Sequence, residues 1–160
     1  MFNKFKISEH LDLAEVTRSE TAKRHGISNM PPEEHISNLK LLAENVFEKI
    51  RNNFRCPILI SSGYRSKELN ALTPGSAANS QHSVGEALDL DMDGTSNGVT
   101  NKMVFEYIKD NLDFDQLIWE FGTNENPDWV HVSYSHTGKQ RKQILRATKI
   151  EGKPHYSPYK

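Results

Sequence analysis

A chain of 160 residues, 36% of them hydrophobic, is long enough for one domain with a real core. Its 20 basic and 21 acidic residues leave a formal net charge of −1, which supplies no broad cationic face and excludes a general nucleic-acid binder. No apolar run reaches the length of a membrane span, and a single cysteine, Cys56, excludes an internal disulfide and any multi-cysteine zinc site. Set between Arg55 and Pro57 at the start of an apolar run, Cys56 reads as a small core residue.

The N-terminal stretch MFNKFKISEHLDL is charged throughout and lacks the apolar centre of a signal peptide. Asp12-Leu-Ala-Glu15 has capping-box spacing and predicts a short helix. Ser19 opens another that stops at Gly26. Pro31-Pro32-Glu33-Glu34 then begins the clearest helix, with Ile36, Leu39, Ala43, Val46 and Ile50 at 3.6-residue spacing and Leu42, Phe47 and Phe54 widening the stripe. After Pro57, ILIS predicts a short buried strand, followed by SGYRS and a brief helix over Lys67 to Leu72. TPGSAANSQ (residues 73–81) is a loop by composition. EALDLDM alternates, with Leu88, Leu90 and Met92 on one face and Ala87, Asp89 and Asp91 on the other, which is a strand. A helix over about Thr100 to Leu112 follows, then strands at DQLIWEF, DWVHVSY and KQILRA. The tail EGKPHYSPYK reads as a surface extension. Helices precede hairpin-connected strands, so the expected class is α+β with a small, mainly antiparallel sheet and helices packed on it. A single domain is expected, divided into a helical part (1–56), a sheet-and-loop part (57–147) and a tail (148–160).

HSVGEALDLDMDGT, residues 82–95, permits two metal readings. From Asp89 it begins D-x-D-x-D-G, the start of an EF-hand loop. That loop needs a bidentate Glu at its twelfth position, where this chain has Thr100, and a helix entering at Asp89, where the pattern is that of a strand. Asp93-Gly94 is better explained as a turn, and Asp91 as a solvated or hydrogen-bonding strand residue. A zinc site instead asks for three N or O ligands and an open position. His82, at the end of a polar loop, and Asp89, on the next strand, are two candidates, and Gly85 gives the connecting turn its freedom. His131 is the third: in DWVHVSY it faces opposite to Val130 and Val132. Taken alone it is equally an ordinary polar-face residue. His10, His25, His35, His136 and His155 lack such company and read as structural or surface residues.

SQHSVGEALDLD resembles the S-x-H-x-x-G-x-A-x-D signature of the zinc D,D-peptidases, which include D-Ala-D-Ala carboxypeptidases, D-Ala-D-Ala dipeptidases and phage peptidoglycan endopeptidases; the Hedgehog signalling domain shares their fold. SSGYRSKELN is similar to the family's arginine segment and DWVHVSY to its third-ligand strand, in the same order. LDLAEVTRSETA and PPEEHISNLK resemble compact members, so the resemblance extends over most of the chain.

The resemblance implies a Hedgehog-like α+β fold and Zn²⁺ held by His82, Asp89 and His131. It places the catalytic acid/base three residues before the last ligand, at Asp128, where many members carry Glu, and matches Arg65 to the arginine facing the substrate carbonyl. Ser80 and Gln81 match polar positions without an assigned role. Read without the resemblance, Arg65 is also compatible with a surface ion pair and Asp128 with a turn cap. Glu120 is the reserve candidate for the base, Glu125 a weaker one. The implied activity is hydrolysis of peptidoglycan stem peptides or murein fragments, as a D,D-carboxypeptidase or an endolysin-like endopeptidase. A zinc-stabilised binding module without catalysis and a cytoplasmic D-Ala-D-Ala dipeptidase are the alternatives. With no signal peptide, synthesis in the cytoplasm and action at the cell wall or periplasm after release are expected.

Overall fold

A computed structural model describes residues 5–160; the first four residues of the stretch read for a signal peptide lie outside the described residues. A short antiparallel pair, β1 (Lys6–Ser8) and β2 (Leu11–Asp12), leads into α1 (Leu13–Thr17). There the Glu15 carboxylate accepts the Asp12 N–H at 3.4 Å, as the capping spacing predicts. In α2 (Glu20–Arg24) the Ser19 hydroxyl accepts the Ala22 N–H at 3.1 Å. The long helical segment comprises α3 (Glu33–Leu42), a π-helical turn (Ala43–Phe47) and α4 (Glu48–Phe54). A π turn shifts the phase of the helix. Leu42, Ala43, Val46 and Phe47 are all buried around it.

The strands β3 (Ile60–Ser62), β4 (Ala87–Leu90), β5 (Gln116–Glu120), β6 (Trp129–Ser133), β7 (Gln143–Ile150) and β8 (Lys153–Pro158) form one sheet in the order β3-β4-β6-β5-β7-β8. Helix α5 (Lys67–Leu72) follows β3, and α6 (Asn101–Asn111) lies between β4 and β5. The class is α+β as expected, but the sheet is mixed: β5 and β7 pair in parallel, the other pairings being antiparallel. After the β5–β6 hairpin the chain passes over to the free side of β5, which makes β7 run alongside β5. Leu88, Leu90, Leu117, Trp119, Val130 and Val132 cover one sheet face and pack with the helices in a continuous core that includes Cys56. The opposite face carries the polar residues of the same strands.

Two expectations for the C-terminus need correction. Strand β7 continues past KQILRA to Ile150, and the presumed surface tail is the strand β8, joined to β7 by a turn with Glu151 and Gly152 at φ 51° and 76°. Pro154 and Pro158 are tolerated because β8 is an edge strand, which need not donate on its free side. The tail is also anchored: Tyr159 donates its N–H to the Ile144 carbonyl at 3.0 Å and stacks on Trp119 with ring centroids 6.0 Å apart.

Gly85 closes the turn between His82 and β4 in the left-handed region, at φ 78°, and a Cβ there would lie 2.4 Å from the His35 carbonyl oxygen. Both constraints oppose any side chain. Gly85→Ala is expected to lower stability by about 2 kcal/mol or more, measured as a lower urea midpoint; an unchanged midpoint would show that the helix and turn can separate freely.

Candidate metal centre

A one-turn 3₁₀ segment, Gln81–Val84, carries His82, and the Ser80 hydroxyl accepts the His82 N–H at 3.1 Å. The imidazole is buried, 2% exposed. Its Nδ1–H donates to the Gly63 carbonyl at 2.7 Å, which fixes the tautomer and leaves Nε2 facing Asp89 Oδ1 at 3.3 Å. Gly63 can come this close because it has no side chain: a Cβ there would stand 2.4 Å from the Val16 carbonyl oxygen. Asp89 and His131 are direct cross-strand partners on β4 and β6. His131 Nδ1 lies 3.0 Å from Asp89 Oδ1. One ligand atom from each of His82, Asp89 and His131 falls within 4.8 Å of the other two. Two imidazole nitrogens and one carboxylate oxygen, converging with a backbone carbonyl orienting one ring, match the donor set and outer support of a catalytic zinc site. The three residues are therefore a group able to hold a metal ion.

The electrostatics fit the same use. Burial raises the Asp89 carboxyl, but the charges and hydrogen bonds of His82 and His131 outweigh it and hold the group far below the usual carboxylate range. An anion is thus kept in a place where an isolated carboxylate would be protonated. The calcium reading fails on placement too. Asp91 Oδ1 accepts from the Asp93 N–H and from Asn101 Nδ2, each at 3.0 Å, and the Thr100 hydroxyl caps α6 by accepting from Met103.

Arg65 enters the site just after β3; its N–H donates to the His82 carbonyl at 3.0 Å. Its guanidinium borders the same cavity as the metal group. Among the described residues it makes no ion pair, and its Nε is buried without a hydrogen-bond partner. Burial lowers its pKa, partly offset by the Asp89 and Glu120 carboxylates. Nε itself is sealed from the cavity, but Arg65 lines it and its side chain makes no hydrogen bond among the described residues, so the outer guanidinium nitrogens are free for a substrate oxygen.

The two candidates for the base are placed differently. Asp128 is exposed at the entrance to β6, outside the lining of the cavity; its N–H donates to the Glu120 carbonyl at 2.9 Å. Strand alternation explains this, since Trp129 and His131 face the cavity and Asp128 shares the parity of Val130. Glu120, paired with Trp129 across the β5–β6 hairpin, is 6% exposed and lines the cavity beside Arg65, His82, Asp89 and His131. Burial pushes its carboxyl up to about 7; His131 and Arg65 pull it down while Asp89 raises it further. Glu125 is exposed in the preceding turn.

The cavity, about 700 Å³, is bordered on its far side by residues that no sequence motif marks: the loop around Gly75, Leu145 of β7, and Pro154 and Tyr156 of β8. Trp129 borders it with Phe121, their rings 5.4 Å apart. Trp119 is a core residue, 1% exposed. Of the remaining histidines, His10 pairs with Glu48 and with Glu9 forms a second, more exposed group of converging ligand atoms, His35 approaches the Tyr64 hydroxyl at 3.2 Å, and His136 approaches Glu86 at 2.8 Å.

A family model described as Peptidase M15 matches residues 9–133, from before α1 to the last residue of β6. A search of curated proteins gave no significant match. No helix among the described residues is long and apolar enough to cross a membrane. The match takes in every element that brings His82, Asp89, His131, Arg65 and Glu120 to one cavity, and it establishes that the chain belongs to the peptidase M15 family of zinc D,D-peptidases, and so to the metallopeptidases.

Proposed function

We propose that the protein is a zinc-dependent peptidase that hydrolyses peptide bonds in the stem peptides of peptidoglycan, acting as an endopeptidase. The observation that carries this reading is the buried His82–Asp89–His131 group with Glu120 and Arg65 on the same cavity wall. When bound there, zinc supplies Lewis-acid activation of water and of the scissile carbonyl. Glu120, buried on the cavity wall beside the metal group, takes the proton of the attacking water and returns it to the leaving amine. The bond from water oxygen to carbonyl carbon forms, the carbon–nitrogen bond breaks, and the proton travels through Glu120. Arg65 donates to the carbonyl oxygen as negative charge develops on it.

The shape of the site favours an endopeptidase over a dipeptidase. A second groove of about 350 Å³ shares Arg65 and Thr73 with the main cavity and runs on past Arg18 and Ser61. A substrate extending to both sides of Arg65 has room there, as cleavage within a polymer requires. Free D-Ala-D-Ala would leave most of this surface unused. Action at the cell wall or periplasm follows from that substrate.

Purified sacculi incubated with the zinc-loaded protein are expected to release muropeptides with new amino and carboxyl ends, identified by mass spectrometry and abolished by a chelator. Intact stem peptides after prolonged incubation would overturn the peptidase reading. They would leave a metal-stabilised binding module as the alternative.

A further inference from the structure

The family match ends at Ser133, and the β7–β8 hairpin that follows it completes the cavity. Register explains how. Glu120 pairs with Ala147, and Ala147 pairs with Tyr156, so the row Trp129–Glu120–Ala147–Tyr156 crosses four strands on one sheet face. Two strand spacings separate Glu120 from Tyr156, roughly 10 Å at the backbone. The residue between them is a fully buried alanine, so nothing tall stands in the way. From the other edge of the sheet the loop after α5 arrives over the cavity, and a Cβ on Gly75 would lie 3.6 Å from Pro154 of β8. The two edges thus meet across the cleft, with Arg65 entering from the β3 side and Tyr156 from the β8 side.

The Tyr156 hydroxyl feels the site without being consumed by it. Tyr156 is 46% exposed at the cavity rim; the covered part of its ring and the Glu120 and Asp89 carboxylates raise its pKa, so the phenol remains a proton donor. Yet it makes no side-chain hydrogen bond to either carboxylate; the hydrogen-bond partners of Asp89 are the two histidines. A neutral donor that lines the cavity and is bonded to neither carboxylate is free to meet a substrate atom.

We propose that Tyr156 is a catalytic residue of this protein, its hydroxyl donating a hydrogen bond to the scissile carbonyl oxygen from the side opposite Arg65 as that oxygen gains negative charge. The phenolic proton stays on Tyr156 throughout; the water proton takes the path through Glu120. The proposal rests on the peptidase reading above and adds a residue from a segment that the family match does not reach.

The test uses the full-length zinc-loaded protein and the variants Tyr156→Phe and Tyr156→Ala. Kinetics on a murein fragment are compared with affinity for a phosphinic analogue of the same stem peptide, whose tetrahedral anion mimics the hydrated carbonyl. Tyr156→Phe is expected to keep its zinc content and Tm, to hold KM within threefold, and to lose about 10²-fold in kcat. It should also lose a similar factor in phosphinate affinity, but less than threefold in affinity for a product peptide. Tyr156→Ala should add a rise in KM through loss of the ring. A Tyr156→Phe protein within threefold of wild type in both kcat and phosphinate affinity would overturn the proposal, as would a wild type that does not bind the phosphinate. If the wild type binds the phosphinate but cuts no murein fragment, the peptidase reading fails on its own, and the affinity comparison still decides the role of the hydroxyl.

Discussion

Replacing Glu120 by glutamine is expected to lower kcat about 10³-fold at unchanged zinc content, the usual scale for loss of a general base. Glutamine keeps the shape of the side chain and the hydrogen-bonding reach but cannot accept the proton. Glu120 is 6% exposed within the cavity that holds His82, Asp89 and His131, so no bulk water can substitute efficiently for it. Asp128→Asn, by contrast, should leave kcat within about twofold, because a surface change away from the reacting groups has little to remove. Asp128 faces away from the cavity, and its contribution to the fold is made by backbone: its N–H to the Glu120 carbonyl and its carbonyl to Asn101 Nδ2 at 3.1 Å. Initial rates of the two variants on the same murein fragment separate the possibilities. If Asp128→Asn is the inactive variant and Glu120→Gln the active one, the base is Asp128, and the cavity opens differently with substrate bound.

That contrast also shows how much of the site was legible in the sequence. The convergence of His82, Asp89 and His131 into a group able to hold a metal was legible, because alternation in EALDLDM and DWVHVSY places Asp89 and His131 off the apolar faces, and β4 and β6 then pair them directly. The same alternation already sets Asp128 with Val130, but the family spacing of three residues before the last ligand points to it regardless of parity. Glu120 becomes a neighbour only through the β5–β6 register, which lies in backbone hydrogen bonding across a turn and has no marker in either strand alone. The C-terminal hairpin was less legible still. Most residues of β8 are exposed, so it carries no hydrophobic alternation; Pro154 and Pro158 read as breakers; and Glu151-Gly152 is a weaker hairpin signal than Asn-Gly or Asp-Gly. Its contribution to the cavity depends on tertiary position, which local sequence does not encode. The parallel β5–β7 pairing was hidden for a related reason. It follows from the side of β5 that remained free once β6 had paired.

Glu120 should also leave a signature in the stability of the metal-free protein. Its carboxyl has an ordinary pKa of 4.5 and is pushed up to about 7 in the fold, chiefly by burial. Between those values the folded protein holds a proton that the unfolded chain has released. Stability therefore falls as pH rises through the window, and the benefit of the protonated form is fully present only below 4.5. That displacement, from 4.5 to about 7, corresponds to about 3 kcal/mol between pH 4.5 and pH 8. Asp89 adds no slope there, since its depressed carboxyl is ionised in both states across the window. In urea titrations of chelated protein, wild type minus Glu120→Gln isolates the effect. The variant is expected to gain on wild type by about 3 kcal/mol on going from pH 4.5 to pH 8; a constant difference would mean that Glu120 is solvated as in an ordinary surface carboxylate. Adding zinc should flatten the difference, because a cation beside Glu120 favours its charged form and removes the penalty of burying it. On the proposed mechanism, a group that is costly to the empty fold at neutral pH is thus the one whose charge the loaded site would use. The Glu120 contribution to stability without metal should therefore be smallest at the pH values where its ionised form is available for catalysis.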